Sequence, residues 1–142
     1  MQDKKVSEFT RRRDPVTLPP QASVQEACAR MREQRVGAVL VVAEDGRLLG
    51  IFTGRDAVCR ILSTGTDPRP LRLEEVMTHD PATLPPESGA LEALRLMQDG
   101  GFRHLPIVDA QGKVCGVVSR GDFRALQHAR LDEETGFFET LR

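Results

Sequence analysis

Two short stretches of this chain place a glycine, a hydroxyl and a carboxylate at the same spacing. The first reads Gly50-Ile51-Phe52-Thr53-Gly54-Arg55-Asp56 and the second Gly116-Val117-Val118-Ser119-Arg120-Gly121-Asp122. In each, an apolar strand gives way to a helix at the hydroxyl, which makes Thr53 and Ser119 N-cap residues. A hydroxyl there stands beside the free backbone N–H groups of a first helical turn, a natural seat for phosphate. The carboxylate of Asp56 or Asp122 lies three residues on, on the same face. It can accept two hydrogen bonds from a vicinal diol such as that of a ribose. Arg55 and Arg120 add positive charge within the first turn. The same residues also form a plain capping-box pattern, and an acidic residue near a helix N-terminus is favoured with no ligand at all. Spacing alone leaves both readings open. Gly50 and Gly116 weigh toward a ligand, because glycine inside a strand costs stability unless something must approach the backbone closely.

Other chemistry is hard to find. The chain has no Gly-x-Gly-x-x-Gly, no Walker loop and no His-Glu-x-x-His, and no serine or cysteine shows an activating partner. No catalysis is expected. Cys28, Cys59 and Cys115 are widely spaced and odd in number, which favours reduced thiols in a cytoplasmic protein over a disulfide frame or a zinc site. Arg120-Gly121-Asp122 spells an integrin-binding tripeptide, but a helix start in a chain with no signal peptide is the wrong place for one. Arg11-Arg12-Arg13 reads as a solvated tether, since no aromatic residues interleave with it. With 20 Lys+Arg against 21 Asp+Glu, no overall field favours nucleic acid or an anionic membrane. The longest apolar run, Ala38 to Ala43, is far short of a membrane span.

The elements that must position these residues occur twice. Shifted by 66 positions, Asp14-Pro15-Val16-Thr17-Leu18-Pro19-Pro20 falls on Asp80-Pro81-Ala82-Thr83-Leu84-Pro85-Pro86, and 13 of the 45 pairs from Asp14 to Val58 are identical. Such a repeat is the first thing a fold must satisfy. Each copy starts with that extended segment, because the residue before a proline is pushed out of the helical region. Ser23 and Glu26 then form a capping box, and Val24, Ala27, Cys28 and Met31 give a helix one apolar face to about Gln34. Gly37 to Val42 is a continuous apolar strand; Glu44-Asp45-Gly46-Arg47 turns it into a second strand, Leu48 to Thr53. A helix from about Gly54 to Ser63 closes the copy.

The second copy has a helix from about Gly89 to Asp99, strands His104 to Val108 and Val114 to Ser119, and a helix from Arg120 to about Ala129. A breaker-rich linker, 64–72, joins the copies. Leu73-Glu74-Glu75-Val76-Met77 after it resembles Val6-Ser7-Glu8-Phe9, so each unit begins with a short helical lead. The chain divides into 6–63, 64–72, 73–128 and a tail, 129–142, in which Phe137, Phe138 and Leu141 make a helical apolar stripe. The fold class is α+β: each copy is a small sheet covered on one face by two helices, with its other face against the other copy. The chain is long enough for one such core.

All of these segments in order, twice, resemble a tandem pair of cystathionine-beta-synthase-type (CBS) domains, together called a Bateman module. The resemblance covers about residues 6 to 128. It rests on the Asp-Pro-x-Thr-x-Pro-Pro segments, Gly37 to Val42, His104-Leu105-Pro106-Ile107-Val108-Asp109 and the two Gly-x-x-Thr/Ser-x-x-Asp elements. It implies two pseudo-symmetric repeats packed sheet to sheet, with clefts for AMP, ADP, ATP or S-adenosylmethionine as regulatory ligand and no required cofactor. It places Asp56 and Asp122 on ribose, Thr53 and Ser119 on phosphate, and adds Thr17 and Thr83 from the extended segments. It also implies that basic residues in Phe102-Arg103-His104 face phosphate, which would make the second copy's site the better one. His104 as a satisfied strand-end histidine and Arg103 as a solvated charge are the alternatives. Gly54 departs from the acidic residue common in the family. The expected protein is a homodimeric, cytoplasmic, non-catalytic sensor that signals to a protein partner or through its oligomeric state. The rival reading is a dimerisation scaffold with vestigial clefts.

Overall fold

A computed structural model describes residues 4–10 and 14–123 of the chain. The apolar stripe Val24, Ala27 and Met31 winds into α2, Val24–Gln34, with α1, Ser7–Thr10, and the two-residue β1, Thr17–Leu18, before it. Ser23 caps α2 by accepting from the Glu26 N–H at 3.0 Å. The return half of the expected box is absent among the described residues, where the linker reaches the same turn: the Val24 N–H donates to Leu71 O at 2.8 Å. The hairpin forms as expected, from β2, Ala38–Val42, and β3, Leu48–Thr53. β1 adds to it in parallel, Thr17 opposite Leu40.

The helix expected over Gly54 to Ser63 has a different character. It opens as one α turn, α3, Gly54–Asp56, and continues as a π-helical segment, Ala57–Leu62. The hydroxyls after it compete for its carbonyls: Ser63 Oγ donates to Cys59 O at 2.6 Å and Thr64 Oγ1 to Arg60 O at 2.9 Å. The backbone N–H groups of Ser63 and Thr66 then reach back five residues, to Val58 O and Ile61 O.

The second copy supplies α4, Leu73–Val76, β4, Thr78–His79, α5, Ala90–Gly100, and the hairpin β5, His104–Val108, with β6, Val114–Ser119. A 3₁₀ turn, Arg120–Phe123, follows. The rest of the expected last helix and the tail 129–142 lie outside the described residues.

The helical leads are exchanged between the copies. The first lead packs on the second sheet: the Val6 N–H donates to Ser88 O at 2.8 Å, and Val6 is fully buried with Leu84, Ala90, Leu105 and Phe123. The second lead packs on the first sheet: the Leu73 N–H donates to Ala22 O at 2.9 Å, and Leu73 and Met77 join Val24, Val41 and Phe52. β4 then pairs antiparallel with β3, His79 opposite Gly50. Each fully buried lead side chain contributes about 1.5–3 kcal/mol of apolar burial, so the exchange ties the two copies together.

This exchange explains the strand glycines without a ligand. A Cβ on Gly50 would lie 2.5 Å from Met77 Sδ and 2.8 Å from Thr78 O; one on Gly116 would lie 2.6 Å from Thr10 Cβ. What approaches the strand backbone is the other copy's lead. The expectation that Gly50 and Gly116 make room for a bound molecule is therefore corrected.

The remaining sheet faces meet. Ala38, Leu40 and Ile51 of the first copy pack with Val114 and Val117 of the second. At one end the two hairpin turns hydrogen-bond to each other, the Leu48 N–H to Gly112 O at 3.0 Å and the Val114 N–H to Gly46 O at 3.1 Å. At the other end of the seam β3 ends at Thr53 and β6 at Ser119, so the hydroxyl–carboxylate elements lie there.

Candidate functional site in the cleft between the repeats

β5 and β6 place His104 directly opposite Ser119. Paired residues of antiparallel strands project from the same face, so imidazole and hydroxyl point into the cleft together. Asp122 follows in the 3₁₀ turn and turns one carboxylate oxygen back: the Ser119 N–H donates to Oδ2 at 2.6 Å. Ser119 Oγ and the other oxygen of Asp122 have no partner among the described residues.

These three residues line a cavity of about 360 Å³, within the size range of small-molecule sites. The opposite wall comes from the other copy: Asp14, Pro15 and Val16 before β1, and Arg35, Val36, Gly37 and Ala38 leading into β2. Phe9 of the exchanged lead and Val117 complete it. Phe9 packs on Phe123, ring centroids 4.8 Å apart, which anchors the turn that carries Asp122. The wall is thus part apolar surface and part convergent polar groups.

His104 is seated on the other copy. A Cβ on Gly37 would come within 2.9 Å of Cε1 and Nε2 of the His104 ring, so the ring occupies the space that a side chain at Gly37 would need. Burial in the cleft lowers the imidazole's proton affinity below the ordinary histidine range, Asp122 raises it in part, and Arg103 lowers it further. His104 is neutral at neutral pH, with one ring nitrogen able to donate and the other to accept.

The first element has the same sequence pattern and a different state. Thr53 donates twice to Asp56 Oδ2, from its N–H at 2.9 Å and from Oγ1 at 3.0 Å, and the Asp56 N–H donates to Thr53 Oγ1 at 3.2 Å. Arg60 Nε stands 3.6 Å from the other oxygen, Oδ1, and the carboxylate side chain is only 17 % exposed. This is a closed capping box, with hydroxyl and carboxylate both engaged by the protein.

The other expected site residues scatter. Arg55 is exposed on the first turn of α3 and lines no part of the cavity. The Arg120 N–H donates to Arg103 O at 2.9 Å, and neither arginine belongs to the cavity wall. Thr17 lies on the edge strand β1 and borders a separate shallow groove with Pro19, Pro20 and Glu44. Thr83 is half-buried next to Leu84, which bridges to Ile107. Of the expected pair Arg103 and His104, His104 lines the cavity and Arg103 does not, though its charge reaches the imidazole; the arginine in the wall is Arg35, from the first copy. Asp14, Gly37 and Arg35 were not expected there. One signal was available, since Gly37-Ala38 aligns with Arg103-His104, small residues against large ones at the same register.

Comparisons with known proteins agree with this fold. The family model described as CBS domain matches residues 6–63 and again 73–129. An uncharacterised protein of Methanopyrus kandleri is 34% identical over 131 residues, which are 90% of this chain and 67% of that protein. A CBS domain-containing protein of Arabidopsis thaliana is 39% identical over 103 residues, 72% of this chain but only 18% of its own length. Among solved structures, a CBS domain protein from Pyrobaculum aerophilum, complexed with AMP, superposes with a TM-score of 0.80 at 25% identity, covering 92% of this chain and 99% of that one. A CBS-domain containing protein from Agrobacterium tumefaciens gives 0.78 at 31% identity, covering 87% and 99%.

Proposed function

The chain belongs to the CBS domain family, and from that premise we propose that it is a non-catalytic regulatory module binding an adenosine-containing ligand in the Asp122 cleft. One observation carries the reading. Ser119, Asp122 and His104 converge on a single cavity between the repeats, with a hydroxyl and a carboxylate oxygen that no described residue uses. A ribose diol would meet the Asp122 carboxylate, a phosphate would meet Ser119 beside the first-turn N–H groups, and the base would lie against Val16, Val36 and Ala38. The similar Pyrobaculum aerophilum chain was solved with AMP, which supports this ligand class.

The Thr53–Asp56 element is better read as structural, because its capping box is closed. The module therefore works with one strong cleft and one vestigial one. A homodimer belongs to the same proposal, supported by the exposed Val58, Leu62 and Leu91, of which Leu62 is 72% exposed. Sedimentation should return a dimer that Leu62→Glu dissociates; a monomer in both would remove this part. A cytoplasmic location is proposed on the three free cysteines. No helix of the described residues is long and apolar enough to cross a membrane.

A thermal-shift panel of AMP, ADP, ATP and S-adenosylmethionine tests the reading. Near a hundred times its dissociation constant a ligand contributes about 2.7 kcal/mol, a rise in melting point of roughly 5–11 °C for a chain of this size. A midpoint unmoved by all four at millimolar concentration would favour the scaffold.

A further inference from the structure

The carboxylates of the two paired elements differ in the cation at hand. Asp56 has a permanent one: Arg60 Nε stands 3.6 Å from Oδ1, the oxygen that the capping box leaves over, and arginine keeps its charge at every ordinary pH. At the same register of the second copy the sequence has Leu126. Asp122 therefore has no counterpart of Arg60, and among the described residues the Ser119 N–H alone reaches it, at Oδ2.

A conditional cation stands in the same cavity. His104 lines it together with Asp122, from the strand position opposite Ser119. The first copy has Ala38 at that register, a methyl where the second copy has a titratable ring. The ring lies against Gly37 of the other repeat, which holds it at the seam. Asp122, on the 3₁₀ turn, favours its protonated form, whereas burial and Arg103, the residue before it, oppose that form. Asp14, ahead of β1, and Arg35, at the end of α2, line the opposite wall. Of these residue types, histidine is the one that ordinarily changes charge between pH 5 and pH 8.

We propose that His104 makes the cleft proton-sensitive: as an imidazolium it pairs with the free oxygen of Asp122 and excludes a ribose diol from it. Acid then does to Asp122, reversibly, what Arg60 does to Asp56 permanently. This rests on the ligand-binding reading above and adds regulation to it: the cleft is available at neutral pH and closes as the pH falls. One proton, exchanged between solvent and the ring, is all that moves.

Adenosine is the probe, because it has the diol and lacks the phosphate that an imidazolium would attract. By calorimetric titration its affinity should be nearly level from pH 8 to pH 7 and fall roughly 3- to 30-fold by pH 5, since one competing proton changes affinity by at most about tenfold per pH unit. At pH 6, titrations in two buffers of different ionisation enthalpy should show part of a proton released for each adenosine bound. His104→Asn, which takes up no proton in this range, should flatten the profile and abolish the release. The proton count is read on the wild-type chain, so it stands even if the variant does not fold. Adenosine affinity independent of pH, proton uptake instead of release, or a decline that survives in His104→Asn each overturns the proposal. A wild-type chain that binds no adenosine at pH 7.5 fails the cleft reading itself, a separate result, and the proposal falls with it.

Discussion

The two hydroxyl–x–x–carboxylate elements are nearly the same in sequence and opposite in state. At Thr53 and Asp56 both side chains turn inward and complete a capping box, with Arg60 beside the carboxylate. At Ser119 and Asp122 a single backbone N–H among the described residues reaches the carboxylate, and the hydroxyl faces a cavity. The difference comes from what surrounds each motif. The first leads into a helix whose next turn supplies an arginine four residues on. The second is a 3₁₀ turn pinned by Phe123 on Phe9 of the exchanged lead. A sequence pattern thus says which groups are near each other, and the packing decides whether they serve the fold or the cleft.

The largest expected effects test what the strand glycines are for. Gly50→Ala forces a methyl onto Met77 and the carbonyl of Thr78 within the four-stranded sheet; it should destabilise by about 1–3 kcal/mol in chemical denaturation. For Gly116→Ala the three nearest atoms all belong to the Thr10 side chain on a four-residue helix and none to backbone, so its cost should be smaller. If both are neutral, the exchanged leads are not what holds those positions to glycine.

Smaller effects should separate the two hydroxyls. Thr53→Ala removes a cap that both gives and accepts, and should cost about 0.5–2 kcal/mol. Ser119→Ala removes a hydroxyl with no described partner, and should leave the melting point nearly unchanged. Equal losses would mean that the second element is also a cap.

The smallest effect is a pH dependence confined to the second site. His104 has its proton affinity lowered in the folded chain, chiefly by burial. The unfolded chain, with an ordinary histidine pKa of about 6.5, binds more protons as the pH falls. Stability is therefore full above about 6.5 and declines as pH falls through that value. Melting points from pH 8 to pH 5 should show this decline in the wild-type chain and less of it in His104→Asn. Parallel curves would place His104 in water, not in the cleft.

Much of the fold is legible in the sequence because its signals are local. The β2–β3 and β5–β6 hairpins follow from apolar runs around Asp-Gly and Gln-Gly turns, and α2 from a cap and an apolar stripe. The exchange of leads is not legible: Val6 to Phe9 and Leu73 to Met77 look alike, and either could cover either sheet. Reading Gly50 and Gly116 as ligand signals followed from that gap, since the close neighbour was another part of the chain. The cleft was legible by half. Ser119, Asp122 and His104 could be named from motif and resemblance, whereas Arg35 and Asp14 come from the opposite copy with no spacing to report them, and Gly37 shows only as a small residue at the register of Arg103.

The claim that one cleft is open and the other closed is tested most directly by titrating AMP into three proteins: wild type, Asp122→Asn and Asp56→Asn, with melting points measured alongside. The account expects Asp122→Asn to weaken AMP about 10- to 150-fold, the worth of a hydrogen bond to a charged group, and to leave the ligand-free melting point in place. It expects Asp56→Asn to keep AMP affinity and to lower the melting point by about 2–4 °C, through loss of a cap worth roughly 1 kcal/mol. The reverse pattern, with affinity lost at Asp56 and stability lost at Asp122, would contradict it.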